Sequence, residues 1–190
     1  HSDGRGFGGP LAGAARWLSG VAAMPERPGS ADDWTAIRGR WQALLSHDDP
    51  DVRFEAARGL VSLDGRDDAA ANVLLTLLNE PETHPAMLAA ILKSLTDAAA
   101  GMTAETIPFS ILLRHDQAQV REQAARTAGI LAPGSVELAD ELVALLDDEE
   151  PHVREEAARA LGKSGVWTAA IAAALAAAAN DEDALVAEAA

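Results

Sequence analysis

Histidine is the side chain in this chain best suited to metal or acid–base chemistry, because neutral imidazole ligates metals and titrates near neutrality. Four of them, His47, His84, His115 and His152, recur in or beside acidic, turn-like segments. If those segments stack, the histidines reach one edge, and the chemistry they would offer is metal binding. A metal site needs further donors converging on each histidine. The residues that follow are Asp48, Pro85, Asp116 and Val153, and the chain contains no His-Glu dipeptide. We therefore read the histidines as solvated turn residues and expect neither metal nor cofactor. The acidic runs DDPD, NEPE, DDEE and NDED would attract a cation or a basic peptide. Carboxylates at helix starts also meet the positive end of the helix dipole, which accounts for them more simply. Nucleophile motifs, phosphate-binding glycine loops and zinc-spaced ligands are missing. The glycine-rich GRGFGG at 4–9 follows no strand pattern and reads as a leader. No catalytic residue is expected, and the chain reads as a non-enzyme.

The elements that would position these side chains repeat. LLSHDDPDVRFEAARGL (44–60), LLRHDQAQVREQAARTA (112–128) and LLDDEEPHVREEAARAL (145–161) share two leucines, an acidic turn, Val-Arg, and Ala-Ala-Arg. The step from Val120 to Val153 sets a period of about 33 residues, within the range of helical repeats. Val52 and Val120 lie just over two periods apart, which leaves room for one intervening unit. Leu77, Leu78, Met87, Ile91 and Leu95 supply it after a two-residue longer spacing. EDALVAEAA opens a fifth unit, with Leu185 on the valine position.

Within a unit the pattern is two amphipathic helices: Val153, Ala157, Ala160 and Leu161 mark one face. First helices are expected near 31–46, 67–78, 103–114, 135–146 and 166–179. Second helices are expected near 50–63, 85–98, 117–131, 151–163 and 183–190. Pro50 and Pro151 suit first-turn positions, and Gly59, Gly129, Gly162 and Gly165, with Pro133 and Gly134, read as helix ends or links.

The pattern LLxDxxPxVRxxAAxALG resembles HEAT repeats of the phycobiliprotein-lyase-like subgroup, from about Asp32 to the end. The resemblance implies an all-α fold, a right-handed α-solenoid of about five helical hairpins, with second helices lining the concave side. It also implies a ladder of acid–arginine pairs. The ladder arginines carried over are Arg53, Arg121 and Arg154, with Asp48, Asp116 and Glu149 as acidic partners in the preceding turn; Leu88 and Val186 replace the arginine in units two and five. The iron-holding deoxyhypusine hydroxylases also have HEAT repeats but use the His-Glu pairs lacking here. The HEAT-like DNA glycosylases need a basic groove with aromatics. Trp34 and Trp41, seven residues apart, read instead as core or cap packing; Trp17 and Trp167 are the other tryptophans.

Composition narrows the function classes. The net charge is −15, from 30 acidic and 15 basic residues, which repels a phosphate backbone, so nucleic acid is not an expected partner. The 48% apolar content, much of it alanine, is enough for a helical core, and the absence of cysteine excludes disulfides and thiolate sites. Residues 11–24 carry Arg16 and fall short of a membrane span, so we read 1–30 as a leader with a capping helix at 11–24, and 31–190 as the solenoid. The chain opens on histidine and stops at Ala190 inside a second helix, which reads as a piece of a longer polypeptide with its last repeat truncated. The function expected is a non-catalytic protein–protein interaction scaffold in the cytoplasm, presenting an acidic curved surface to a protein or basic peptide. The expected surface residues are Glu55, Arg58, Glu122, Arg126, Glu155, Glu156 and Arg159. The alternative is a regulatory or lyase-type subunit of an enzyme acting on a modified or chromophore-bearing protein.

Overall fold

The structure, a computed structural model, describes residues 31–64, 67–98 and 106–190. The expected capping helix at 11–24, Trp17, the glycine-rich leader and the start of the third first-helix lie outside the described residues. The described residues are helical, with turns and links and no strand: α1 Ala31–Leu44, α2 Pro50–Asp64, α3 Asp68–Leu78, α4 Pro85–Ala98, α5 Phe109–Leu112, α6 Ala118–Leu131, α7 Val136–Ala144, α8 Pro151–Ser164, α9 Ala169–Ala178 and α10 Ala184–Ala189. A short 3₁₀ turn, Leu145–Asp147, extends α7. These are the alternating first and second helices that the period predicts. The departure is α5, which holds four residues.

The chain divides into two compact units, His1–Leu74 and Leu75–Ala190, with the boundary inside α3. In the first, α1 packs on α2 around Ile37, Leu45, Val52, Phe54, Leu60 and Val61. Trp41 lies over Gly59, where an added Cβ would overlap the indole ring. Trp34 is 44% exposed, so the two tryptophans do not share one buried role.

In the second unit the second helices form one layer, α4 against α6, α6 against α8 and α8 against α10, and the hairpins stack as in a repeat solenoid. The second helices start at Pro85, Ala118, Pro151 and Ala184, equal steps of one period. First helices keep the same register at their caps. Ser135 Oγ accepts from the Leu138 amide (3.3 Å), and one period later Thr168 Oγ1 accepts from the Ile171 amide (3.1 Å). Each side chain satisfies a first-turn N–H that has no helical partner. Ile91, Leu92, Leu95, Val120, Ala124, Leu142, Val153, Leu161 and Ile171 are all almost fully buried between the layers.

Two sequence expectations are corrected by this register. Val186, not Leu185, occupies the valine site. Val186 is fully buried and stands one full period after Val153, whereas Leu185 is 56% exposed; the arginine site of that unit is therefore Ala187. Gly59, Gly129 and Gly162 sit inside helices rather than at their ends. Gly165 (φ 71°) caps α8, and Gly134 (φ 84°) lies in the link before α7. Gly129 serves close approach: a Cβ there would lie 2.7 Å from Ala160 Cα and 2.9 Å from its Cβ, with backbone as the obstacle. Gly162 faces open space.

These two glycines predict opposite outcomes for one substitution. Gly129→Ala forces α6 and α8 apart and destabilises by about 1–3 kcal/mol. Gly162→Ala stabilises by about 0.5–1 kcal/mol through helix propensity alone. Thermal melts followed by circular dichroism check the signs, and equal shifts would refute the packing role of Gly129.

Candidate functional site

Two rows of polar side chains in the second unit follow the repeat. One runs along the hairpin turns. Arg121, at the start of α6, donates from Nε to Asp148 Oδ2 (2.7 Å) and from Nη2 to Asp148 Oδ1 (2.8 Å). Its Nη1 donates to the carbonyls of His115 (2.8 Å) and Asp116 (3.1 Å). Arg154 repeats this one unit later, with Asp181 as the bidentate acceptor (2.8 Å for both bonds) and the carbonyls of Asp148 and Glu149 beneath Nη1. The planar guanidinium fork matches a carboxylate edge-on, which gives the contact direction as well as energy. Both carboxylates also accept from an amide two residues on, Glu150 N and Asp183 N, so each acid closes its own turn while binding the preceding repeat.

The ladder thus differs from the expected pairing. Arg121 and Arg154 are ladder arginines, but their carboxylate partners are Asp148 and Asp181 in the following turn. Asp116 contributes its backbone carbonyl. Glu149 contributes its carbonyl to Arg154 and reaches Arg121 with its carboxylate only at 3.8 Å. An arginine at the first turn of a helix points its fork across the stack, because its Nη1 is already held by the carbonyls of its own turn. In the first unit Arg53 Nη1 likewise donates to the carbonyls of His47 and Asp48, both at 3.0 Å.

The histidines belong to the same turn chemistry. Nδ1 of His47, His84 and His115 accepts from the amides of Asp49, Ala86 and Gln117, at 3.0, 3.2 and 3.0 Å. Each closes its turn as Asp148 and Asp181 close theirs. His152 lies 3.8 Å from Glu150. Among the described residues no group of three or more His, Asp, Glu or Cys side chains is arranged to hold a metal.

The second row lies on the second helices. Arg126 of α6 donates from Nε and Nη2 to Glu156 of α8 (3.0 and 2.8 Å) and lies 3.6 Å from Glu122. Arg159 of α8 donates to Glu156 (3.1 Å) and pairs with Glu155. In the first unit Arg58 pairs with Glu55 across one helical turn. The arginine side chains stay 38–53% exposed, while Glu55, Glu155 and Glu156 are largely covered, Glu156 to 6%. Glu156 is therefore an inter-repeat pairing group rather than an exposed contact. The outermost atoms of this row are guanidinium edges, and the excess negative charge sits at the turns.

Electrostatics follow the geometry. Burial pushes the Asp148 carboxyl upward, but hydrogen bonds from Arg121 and the Glu150 amide, with the charges of Arg121 and Arg154, hold it below the ordinary aspartate value. Burial acts likewise on Glu156, and Arg126 and Arg159 outweigh it. Asp181 is lowered by its bonds from Arg154 and the Asp183 amide.

Residues 106–190 match the family profile of HEAT repeats. The chain is also similar in fold to an engineered protein whose crystal structure was solved as a structural-genomics target. That chain has 23% identity and a TM-score of 0.57, and the match covers 81% of this chain and 76% of the other. At this identity the likeness concerns the fold. No curated protein matches the chain in sequence. Among the described residues no helix is long and apolar enough to cross a membrane.

Depressed carboxyl values fix the sign of a pH effect. The rung contributes its full stability above the ordinary carboxylate range and loses it as pH falls below that range through the lowered folded values. Asp148→Asn, which leaves Arg121 10% exposed without its carboxylate, costs about 3 kcal/mol at neutral pH. It also flattens the acid limb of a stability-versus-pH curve. A variant as stable as the parent at pH 7 contradicts this role.

Proposed function

We propose that the chain is a non-catalytic protein–protein interaction module whose docking surface in the second unit is the row Glu122, Arg126, Glu155 and Arg159 on α6 and α8. The observation that carries this reading is the fixed orientation of those guanidinium groups. Each arginine is held against carboxylates that are themselves covered, so its exposed edge is presented without the ordering cost that a free side chain bears on binding. Repeat arrays use such layers as extended binding faces. Glu55 and Arg58 offer the same pair in the first unit. The partner is a protein or peptide, and the −15 net charge steers basic partners toward the acidic turns beside this row.

We assign the repeats to the phycobiliprotein-lyase-like kind on the three in-register copies of LLxDxxPxVRxxAAxALG alone. The compartment we propose is the cytoplasm.

The test is capture of binding proteins at two salt concentrations, followed by affinity measurement for the dominant partner with Glu122→Gln and Arg159→Ala variants. These positions leave the Arg126–Glu156 rung in place. Affinity falls by about tenfold, roughly 1.4 kcal/mol, while helicity and Tm stay near those of the parent. Unchanged affinity in both variants removes this row as the docking surface.

A further inference from the structure

The seams between successive repeats of the second unit are not alike. Between the third and fourth repeats, Arg121–Asp148 joins the turns, Arg126–Glu156 joins the second helices, and Arg114 lies 3.6 Å from Glu141. Between the fourth and fifth, Arg154–Asp181 joins the turns. Between the second and third repeats, across α4 and α6, none of these is present among the described residues. The register places Leu88 where Arg121 stands and His115 where Asp148 stands. His115 closes its turn but offers no carboxylate, and Leu88, 8% exposed, offers no donor. The second row fails at the same seam. Lys93 replaces Arg126 and turns back to Asp97 of its own helix (2.9 Å), while Gln123 replaces Glu156 and its Oε1 is buried without a hydrogen-bond partner.

Among the described residues the polar contacts across this seam all involve the Thr127 hydroxyl: Thr96 Oγ1 lies 2.9 Å from Thr127 Oγ1, and Leu92 O lies 3.4 Å from it. Each hydroxyl has a single proton. Thr96 has a carbonyl acceptor in its own helix, Leu92 O at 2.8 Å, and Thr127 has Gln123 O at 2.6 Å, with Leu92 O also 3.4 Å away. A hydrogen bond between the two hydroxyls forms only when one of them releases its carbonyl. Beside these threonines and Gln123, buried apolar side chains line the seam: Ile91, Leu92 and Leu95 of α4 and Val120 and Ala124 of α6. Apolar burial is non-directional, so it holds the helices together without fixing how far one is turned or slid along the other. Bidentate ion pairs fix both.

We propose that the α4–α6 seam is a shear joint: the second and third repeats slide and rotate against each other there, while the third to fifth repeats move as one body. The joint sets the curvature of the second-helix layer, and the exchange of hydroxyl protons among Thr96, Thr127, Leu92 O and Gln123 O lets it move without stranding a buried donor. Packed helices in sliding domains move in this way. The inference rests on the seam geometry and stands whether or not the layer is a docking surface.

The chain has no cysteine, so spin labels can be placed singly. Asp97, Ile130 and Lys163 occupy equivalent exposed positions on α4, α6 and α8, each one period from the next. Distance distributions are measured by electron paramagnetic resonance for Asp97→Cys with Ile130→Cys and for Ile130→Cys with Lys163→Cys. The first pair is expected to give the broader distribution, and Leu88→Arg with His115→Asp, which installs the missing rung, narrows it to the width of the second. Conversely, Arg121→Leu with Asp148→His moves the second-to-third seam chemistry to the next seam and broadens the second pair. Circular dichroism establishes that each variant is folded; if the installed rung prevents folding, the converse pair decides. Equal widths in the parent overturn the joint, and so does a width that neither exchange alters in any folded variant.

Discussion

An arginine at the start of one second helix that grips a carboxylate in the next turn fixes the register of this solenoid. Arg121 and Arg154 each satisfy both ends of a constraint that hydrophobic packing alone leaves open. Alanine-rich faces attract one another at many relative rotations, since Ala124, Ala128, Ala157 and Ala160 are small and nearly alike. The fork of Nε and Nη2 on two carboxylate oxygens accepts one. Because the same acid also caps its own turn through an amide two residues on, the repeat-to-repeat contact and the local fold of the hairpin are coupled. Loss of the acid therefore disturbs both levels.

That coupling explains which part of the architecture could be read from residues alone. The repeat period and the alternation of first and second helices are carried by local pattern: apolar residues at helical spacing, proline at a first turn, an acidic turn between; the ladder arginines are only what the resemblance to HEAT repeats implies. The partner of each arginine is not carried by local pattern. Asp116 and Asp148 are both acids in acidic turns, and only the stacking of one hairpin on the next shows that Arg121 faces the second. The arginine-to-aspartate spacing that Arg121–Asp148 and Arg154–Asp181 share was the available signal. It becomes meaningful once the turns are known to stack.

The remaining misreadings have the same origin. Leu185 and Val186 are both apolar and adjacent, so periodicity over so short a helix could not separate them; burial did, through packing against α8. Gly59 and Gly129 resemble helix stops in a sequence, where glycine usually signals an end. Their roles come from what lies opposite, the indole of Trp41 and the backbone of Ala160. Glu156 looks like any charged helix residue until Arg126 of the preceding repeat is seen to cover it. In each case the missing information concerned a neighbour on a different helix, beyond the reach of any local pattern.

A repeat protein built this way can vary stiffness without varying fold. The hairpin needs only its turn closure, which histidine or aspartate supplies equally, so His115 and Asp148 are interchangeable for local structure. They are not interchangeable for the contact to the preceding repeat, because imidazole offers one acceptor and no negative charge to a guanidinium. Exchange of one acid for histidine, together with exchange of the matching arginine for leucine, releases a seam while leaving both hairpins intact. Paired loss at Leu88 and His115 also avoids stranding a buried charge, which removal of either group alone would do. Within the second unit the helical layer thus continues from α4 to α10, while the directional contacts among the described residues gather on the α6–α8–α10 side of the α4–α6 seam.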